Sequence, residues 1–265
     1  MKKYDRLPLT EIKPSGWLYE QLKIQMNGLS GKLYEIWDSV GSYSGWLGGT
    51  GDGWERVPYY LDGLLPLSYY LEDQEHWDLC KRFIEWTLNS QDETGNFGPQ
   101  ATWKDQWSRF VMLKVLIQYA EITKDGRVLP FAERYLQYIE ELVSGRELIS
   151  WSKARVPEML YVGKWIYEQT KEAKILEAMK KIDKRSIDWC DYLQDLPFPR
   201  PAKEYICWDK VKKFEHLEIE EMCPYHETHI VNVTMGFKHP ALRALLYDDQ
   251  SYERIAKEGI KEVIR

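Results

Sequence analysis

Cysteine is scarce. Cys80, Cys190, Cys207 and Cys223 are the only four in 265 residues, and no two form a CxxC pair. That scatter argues against a disulfide framework and points to reduced thiols, for which a cytoplasmic location is the simplest account. Long apolar runs are missing too; none approaches the ~20 residues that cross a bilayer. Behind the basic start Met1-Lys-Lys-Tyr-Asp-Arg-Leu-Pro8 there is no apolar stretch, so it does not read as a signal peptide. Positive charge is not in excess: the net charge is −6, with Lys and Arg spread evenly. Neither nucleic acid nor a membrane surface is therefore an expected partner. Alternating apolar and polar runs rich in β-branched residues are also absent, which argues against a sheet. Phenylalanine is sparse, at 7 residues, against 12 Trp and 18 Tyr.

What is present is a core-forming chain with unusual aromatics. Hydrophobic residues make up 44% and charged residues 29%, as in ordinary soluble domains. Trp and Tyr combine flat apolar faces with a polar tip. They serve equally as spacers in a tall helical core or as the walls of a groove that stacks on sugar rings, and the two roles are compatible.

Helical periodicity dominates. Ser15 is a fair N-cap for a helix carrying Trp17, Leu18, Leu22 and Ile24. A glycine- and tyrosine-rich loop, Gly31 to Gly53, precedes a second helix from about Val57 to Leu71. Asp73 can cap a third, with Trp77, Cys80, Phe83, Ile84 and Leu88 on one face. After a loop from Asn89 to Asp105, a fourth helix (Gln106–Ile122) is apolar nearly all round, as buried helices are. Further helices are expected over Val128–Leu142, Pro157–Gln169, Ala173–Leu193, Glu227–Leu246 and Ser251–Ile264. Leu196-Pro-Phe-Pro-Arg-Pro201 is a stiff connector, and Cys207 to Cys223 carries no clear pattern.

Long aromatic loops alternate with tight turns, and all-round apolar helices alternate with amphipathic ones. This rhythm predicts a single all-α domain over residues 1–265. It reads as an (α/α)6-type toroid of helical hairpins, incomplete at about eight or nine helices. A solenoid is the nearest alternative, but no fixed-period repeat exists.

Several patches carry chemistry. Gly48-Gly-Thr-Gly-Asp-Gly53 lacks the Lys-Ser/Thr of a phosphate loop and the strand of a dinucleotide fold. It reads as an ordered loop held by Trp46 and Trp54. Asp52, Trp54 and Glu55 then stand at a helix mouth, where Glu55 either offsets the helix dipole or grips ligand hydroxyls. Cys223-Pro-Tyr-His-Glu-Thr-His229 has metal-donor types but is not HExxH, since Ile230 takes the last position. His226 and His229 more simply line a pocket or satisfy backbone at a helix start, and no metal ligand is assigned. Trp103-Lys-Asp-Gln-Trp-Ser-Arg109 and Trp151-Ser-Lys-Ala-Arg155 open helices in parallel fashion. Capping and ion pairing explain each alone; together they place Asp105, Gln106, Trp107, Arg109 and Arg155 near one shared end. No GxSxG elbow exists, and no spacing singles out a carboxylate pair.

Four blocks resemble a known family: Pro8-Leu-Thr-Glu-Ile-Lys-Pro-Ser-Gly-Trp-Leu18, Gly51-Asp-Gly-Trp-Glu-Arg-Val-Pro-Tyr-Tyr-Leu-Asp-Gly-Leu64, Trp107-Ser-Arg-Phe-Val-Met-Leu-Lys114 and His229-Ile-Val-Asn-Val-Thr-Met-Gly-Phe-Lys238. They look like members of the β-L-arabinofuranosidase-like group around glycoside hydrolase family 127. The likeness runs from about Leu7 to Arg265. It implies an (α/α)6 barrel and retaining furanoside hydrolysis by a zinc-bound cysteine, with glutamates as acid/base and metal ligand. His229 matches the family histidine at the start of an inner helix. The histidine before a Pro-Glu helix start falls on Val156, and the one near the fourth helix finds no counterpart around Arg109 to Val111. None of the four cysteines has the context of the family's Glu-Leu-Cys metal segment, which would lie beyond Arg265.

The resulting expectation is a carbohydrate-active, β-L-arabinofuranosidase-like helical portion. It carries no cofactor of its own and lacks the zinc/cysteine catalytic segment. Asp52, Trp54, Glu55, Trp107, Arg109, Arg155, His226 and His229 are its expected sugar-contact residues. Its expected partner is a plant-type glycan or oligosaccharide, with self-association through an open barrel side. The alternative is a non-catalytic carbohydrate-binding or interaction module on the same helices.

Overall fold

A computed structural model describes residues 7–206, 208–211 and 219–264. Among the described residues there is no strand; α1 (Gly16–Asn27), α2 (Leu29–Ile36), α3 (Arg56–Leu71), α4 (Gln74–Asn89) and α5 (Trp107–Thr123) come first. They are followed by α6 (Val128–Gly145), α7 (Ser150–Ala154), α8 (Val156–Thr170), α9 (Ala173–Asp183) and α10 (Trp189–Asp195). The last are α11 (Trp208–Val211), α12 (Ile219–Thr228), α13 (Ile230–Gly236), α14 (Lys238–Tyr247) and α15 (Ser251–Ile264). The all-α hairpin class expected from the sequence is what forms.

The chain divides into two compact units. The first runs to Lys104 and resumes over Ser108–Tyr138; the second takes Asp105–Trp107 and the residues from Ile139 onward. In the first, α1 packs on α2 and α3 on α4. In the second, α8 packs on α9, α14 on α15, and α10 against α15.

Helix burial follows the apolar pattern. In α5, Phe110, Val111, Met112, Leu113, Val115 and Leu116 are all shut off from solvent. In α4 only one face is buried, by Cys80, Phe83, Ile84 and Thr87. Asp73 caps α4 as expected, accepting from the His76 backbone N–H at 3.0 Å. The His76 ring then meets Asp73 Oδ1 through Nδ1 and the Gly31 carbonyl through Nε2, both at 2.9 Å. Ser15 stands at the N-cap of α1, but its side chain makes no capping bond.

Three expectations are corrected. The loop from Gly31 to Gly53 contains most of α2, a short helix formed against α1, since packing overrides weak local preference. The helix expected over Ala173–Leu193 stops at Asp183; Asp188 then caps α10 by accepting from Cys190 and Asp191 N–H. The helix expected over Glu227–Leu246 is broken at His229 and Phe237 into α12, α13 and α14. Proline explains the last break. Pro240 has no N–H to continue α13, but it fits the first turn of a new helix, where that donor is unused anyway. The stretch from Cys207 to Cys223 lies largely outside the described residues.

A small second-unit cluster supports the site described below. Trp189 packs with Ala154, Ile187 and Val233, and its Nε1–H donates to the Ala154 carbonyl at 2.8 Å. On the first unit, α1 and α2 leave Trp17 78%, Ile24 62%, Leu29 66% and Ile36 64% exposed.

Candidate functional site

The sequence-predicted residues fall into two groups, one in each unit. Asp52, Trp54, Glu55 and Arg109 belong to the first; Trp107, Arg155, His226 and His229 belong to the second.

In the first unit, the loop before α3 and the loop before α5 meet. Trp46 is the pin: fully buried, it donates from Nε1 to the Trp54 carbonyl at 2.8 Å and packs edge-on to Phe97. Gly98 has φ +78°, and a Cβ there would stand 2.9 Å from the Trp46 ring, so only glycine lets the second loop close on it. Asp52 is a staple of its own loop, accepting from Trp54 N–H at 2.8 Å and pairing with Arg56. Glu55 is the N-cap residue of α3, without a side-chain cap.

Arg109 is not a ligand group on this surface. It is completely buried and donates to the carbonyls of Phe97 and Pro99 at 2.8 Å each, and to Thr102. A guanidinium with five fixed donors suits a loop whose carbonyls have no helix or strand partner. The expected sugar contact at Arg109 is therefore corrected to a loop clamp.

The second unit brings its four residues together. Arg155 is 4% exposed, and its guanidinium lies 4.3 Å from the Trp107 ring centroid and 4.5 Å from that of Trp151. Such desolvated cation–π contacts are worth ~2 kcal/mol or more each. Arg155 Nε–H donates to Asn232 Oδ1 at 2.7 Å, which fixes the amide orientation. Asn232 Nδ2 then faces the His226 carbonyl at 3.1 Å and His226 Nδ1 at 3.2 Å. Nδ1 must accept, so the imidazole proton sits on Nε2, directed at Ser150 Oγ 3.3 Å away. Burial, then the charges of Arg155 and His229, depress the His226 pKa to about 3. The ring is neutral at physiological pH.

Above this floor lies a set of partly exposed rings. Trp151 meets His229 at 5.5 Å and Tyr225 at 6.0 Å, both edge to face. Trp208, 47% exposed, meets Tyr225 at 6.3 Å. His229 stands at the N-cap of α13, the helix-start position expected for it.

Asp105 ties the strands of chain that carry the two tryptophans. Its Oδ1 accepts from Trp107 N–H at 3.1 Å and Ser152 N–H at 2.9 Å, and its Oδ2 from Trp151 N–H at 3.0 Å. Although part of the residue reaches solvent, the carboxylate is enclosed. Burial pushes its pKa up to about 6, against the three backbone donors, which favour the charged form.

Sequence reasoning missed Tyr225, Asn232 and Ser150. Tyr225 sits inside the histidine-rich patch, and Asn232 lies three residues after His229, on the same helix face. Ser150 carries no local signal; only the fold delivers it to His226.

A second polar cluster involves Asp183, Asp188, Cys190, His239 and Arg243. Ligand atoms of Asp188, Cys190 and His239 lie within 4.8 Å of one another. Arg243 already fills the role of a cation there. It pairs through Nε with Asp183 at 3.1 Å and through Nη1 with Asp188 at 2.7 Å. His239 Nε2 and Tyr247 Oη add bonds to Asp183 of 2.6 and 2.8 Å. Burial holds the Cys190 thiol up at about 12, unlike a metal-bound thiolate. The Cys80 thiol, buried as well, also stands at about 12.

Two hollows are lined by other residues. One of about 470 Å³ is lined by Lys13, Tyr19, Tyr69, Glu72 and Trp77 of the first unit. Another, of about 410 Å³, borders Asp183, Asp188 and Arg243. Among the described residues no helix is long and apolar enough to cross a membrane. No family model, curated protein or solved structure matches this chain.

Proposed function

We propose that this chain is a β-L-arabinofuranosidase-like, carbohydrate-active helical protein whose sugar-contact surface is the ring set Trp151, Tyr225 and His229. The supporting observation is that set's arrangement over the Arg155–Asn232–His226 network. A saccharide offers apolar C–H faces alternating with hydroxyls. Partly exposed Trp, Tyr and His rings match both features, with a stacking face and a polar edge on each. The four sequence blocks that resemble glycoside hydrolase family 127 support the same reading, and His229 is common to both lines of argument. Closure of the hairpins into an (α/α)6-type toroid, a plant-type glycan as ligand and a cytoplasmic location belong to this proposal. So does self-association, for which the exposed Trp17, Ile24, Leu29 and Ile36 supply apolar surface.

The family's zinc chemistry does not fit the described residues. Cys80 and Cys190 are buried, protonated thiols, and Arg243 occupies the acidic cluster nearest Cys190. The second reading is a non-catalytic sugar-binding module on the same helices. Saturation-transfer NMR with a β-L-arabinofuranosyl disaccharide tests the sugar reading. Release of arabinose by the purified chain would overturn the non-catalytic one.

A further inference from the structure

We infer that Asp105 is a positioning residue for the ring surface: its carboxylate fixes the backbone at Trp107 and Trp151 and so sets both indoles against Arg155. The inference rests on geometry. One side chain accepts three backbone N–H groups, at 2.9, 3.0 and 3.1 Å, from positions more than forty residues apart in sequence. Two of those N–H groups belong to the tryptophans whose rings lie 4.3 and 4.5 Å from the Arg155 guanidinium. A helix start of five residues such as α7 has little stability of its own. Its first N–H donors need an acceptor, and Asp105 is the acceptor for two of them. Ser152 is fully buried, so water does not replace the carboxylate there.

The role goes beyond ordinary capping. Asp105 caps its own helix through Trp107 N–H, as an Asp two residues earlier commonly does. Its second oxygen is committed to Trp151, the ring that also meets Tyr225, His226 and His229. Loss of that bond frees Trp151 while leaving Trp107 capped. Asparagine discriminates between the two oxygens. With its carbonyl at the Oδ1 place it keeps Trp107 and Ser152, and its NH₂ then faces the Trp151 N–H, donor to donor.

Burial favours the neutral acid, with a pKa near 6, so wild-type protein already samples the loss of charge on mild acidification. Among the described residues, other charged or titratable groups around the rings include Arg155, His226 and His229, with Lys153 on α7 and Glu227 on α12, whose pKa burial raises above 4.5. His226 stays neutral down to about 3. A His229→Gln variant removes the remaining imidazole from the comparison.

The test is near-UV circular dichroism of the whole chain, without ligand, for wild type, Asp105→Asn, Asp105→Glu and His229→Gln. Far-UV spectra establish that each variant is folded. The expected result is that Asp105→Asn loses the tryptophan near-UV signal of the stacked pair. Wild type and His229→Gln should lose it alike between pH 7 and 5, and Asp105→Asn should show no such pH change. An unchanged near-UV spectrum in folded Asp105→Asn would overturn the inference, as would a pH transition absent from wild type or abolished by His229→Gln. Because the inference takes the ring surface from the sugar reading, binding is measured separately. A changed spectrum with no sugar binding by wild type sinks the sugar reading alone; sugar binding by wild type with an unchanged Asp105→Asn spectrum sinks the positioning role alone.

Discussion

Arg155 lies with its guanidinium 4.3 Å from the Trp107 ring and its Nε 2.7 Å from Asn232 Oδ1, so a single buried cation joins an aromatic pair to a histidine network. A planar, delocalised cation is required for both contacts at once. Arg155→Lys keeps the charge but loses the planar stacking and the directed Nε bond. The expected cost is about 2–3 kcal/mol in urea unfolding. A loss below about 0.5 kcal/mol, the range of ordinary surface changes, would show that the stack is incidental.

The two best-defined histidines should titrate in opposite directions. Burial, Arg155 and His229 hold His226 down at about 3. For His76, burial opposes charging, but bonds to Asp73 and the Gly31 carbonyl prevail and raise its pKa above 6.5. In the linkage, the contribution from His76 is fully present below pH 6.5 and fades as pH rises through its folded value. That from His226 is present above 6.5 and is lost as pH falls toward 3. NMR of the imidazole C–H signals checks this: the His226 signal should be flat from pH 8 to 5, and a His226 midpoint near 6.5 would contradict the buried neutral ring.

Arg243 should be a strong stability determinant. At Asp183, burial alone would raise the pKa, but His239, Arg243 and Tyr247 bring it below 3.8. Arg243→Ala leaves this buried carboxylate without the guanidinium that pairs with it. The expected loss is about 3–5 kcal/mol. In wild type the stabilisation is complete above pH 3.8 and disappears as pH falls through the lower folded value. Arg243→Ala should flatten that acid limb, and an unchanged acid unfolding curve would refute the assignment.

In the first unit, Gly98→Ala should force the Trp46 pin aside, because φ is +78° and the indole is 2.9 Å from the new methyl. A cost of about 1–3 kcal/mol and red-shifted tryptophan emission are expected. Equal stability with wild-type emission would mean that the two loops are not closed on Trp46.

Much of the fold was legible because helical periodicity is local information. The all-round apolar run from Phe110 to Ile117 announced the buried helix α5, and Asp73 announced the cap of α4. Breaks at Asp183 and Phe237 were hidden because the sequence on both sides stays helix-compatible. The site was half legible. Trp107, Arg155, His226 and His229 stood out by type and by their place at helix starts. Arg109 looked equivalent to Arg155 in sequence, yet one clamps loop carbonyls and the other stacks on tryptophans. Only the path of the chain separates those roles, as it alone brings Ser150 to His226 across 76 residues.

The proposed ligand of the Trp151–Tyr225–His229 surface is a saccharide. Calorimetric titration of the whole chain with a β-L-arabinofuranosyl disaccharide tests it most directly, alongside folded Trp151→Ala and His229→Ala. Saturable binding by wild type that both variants lose is expected, with binding unchanged in Lys13→Ala at the first-unit hollow. No binding by wild type, or binding that survives both ring substitutions, would contradict it.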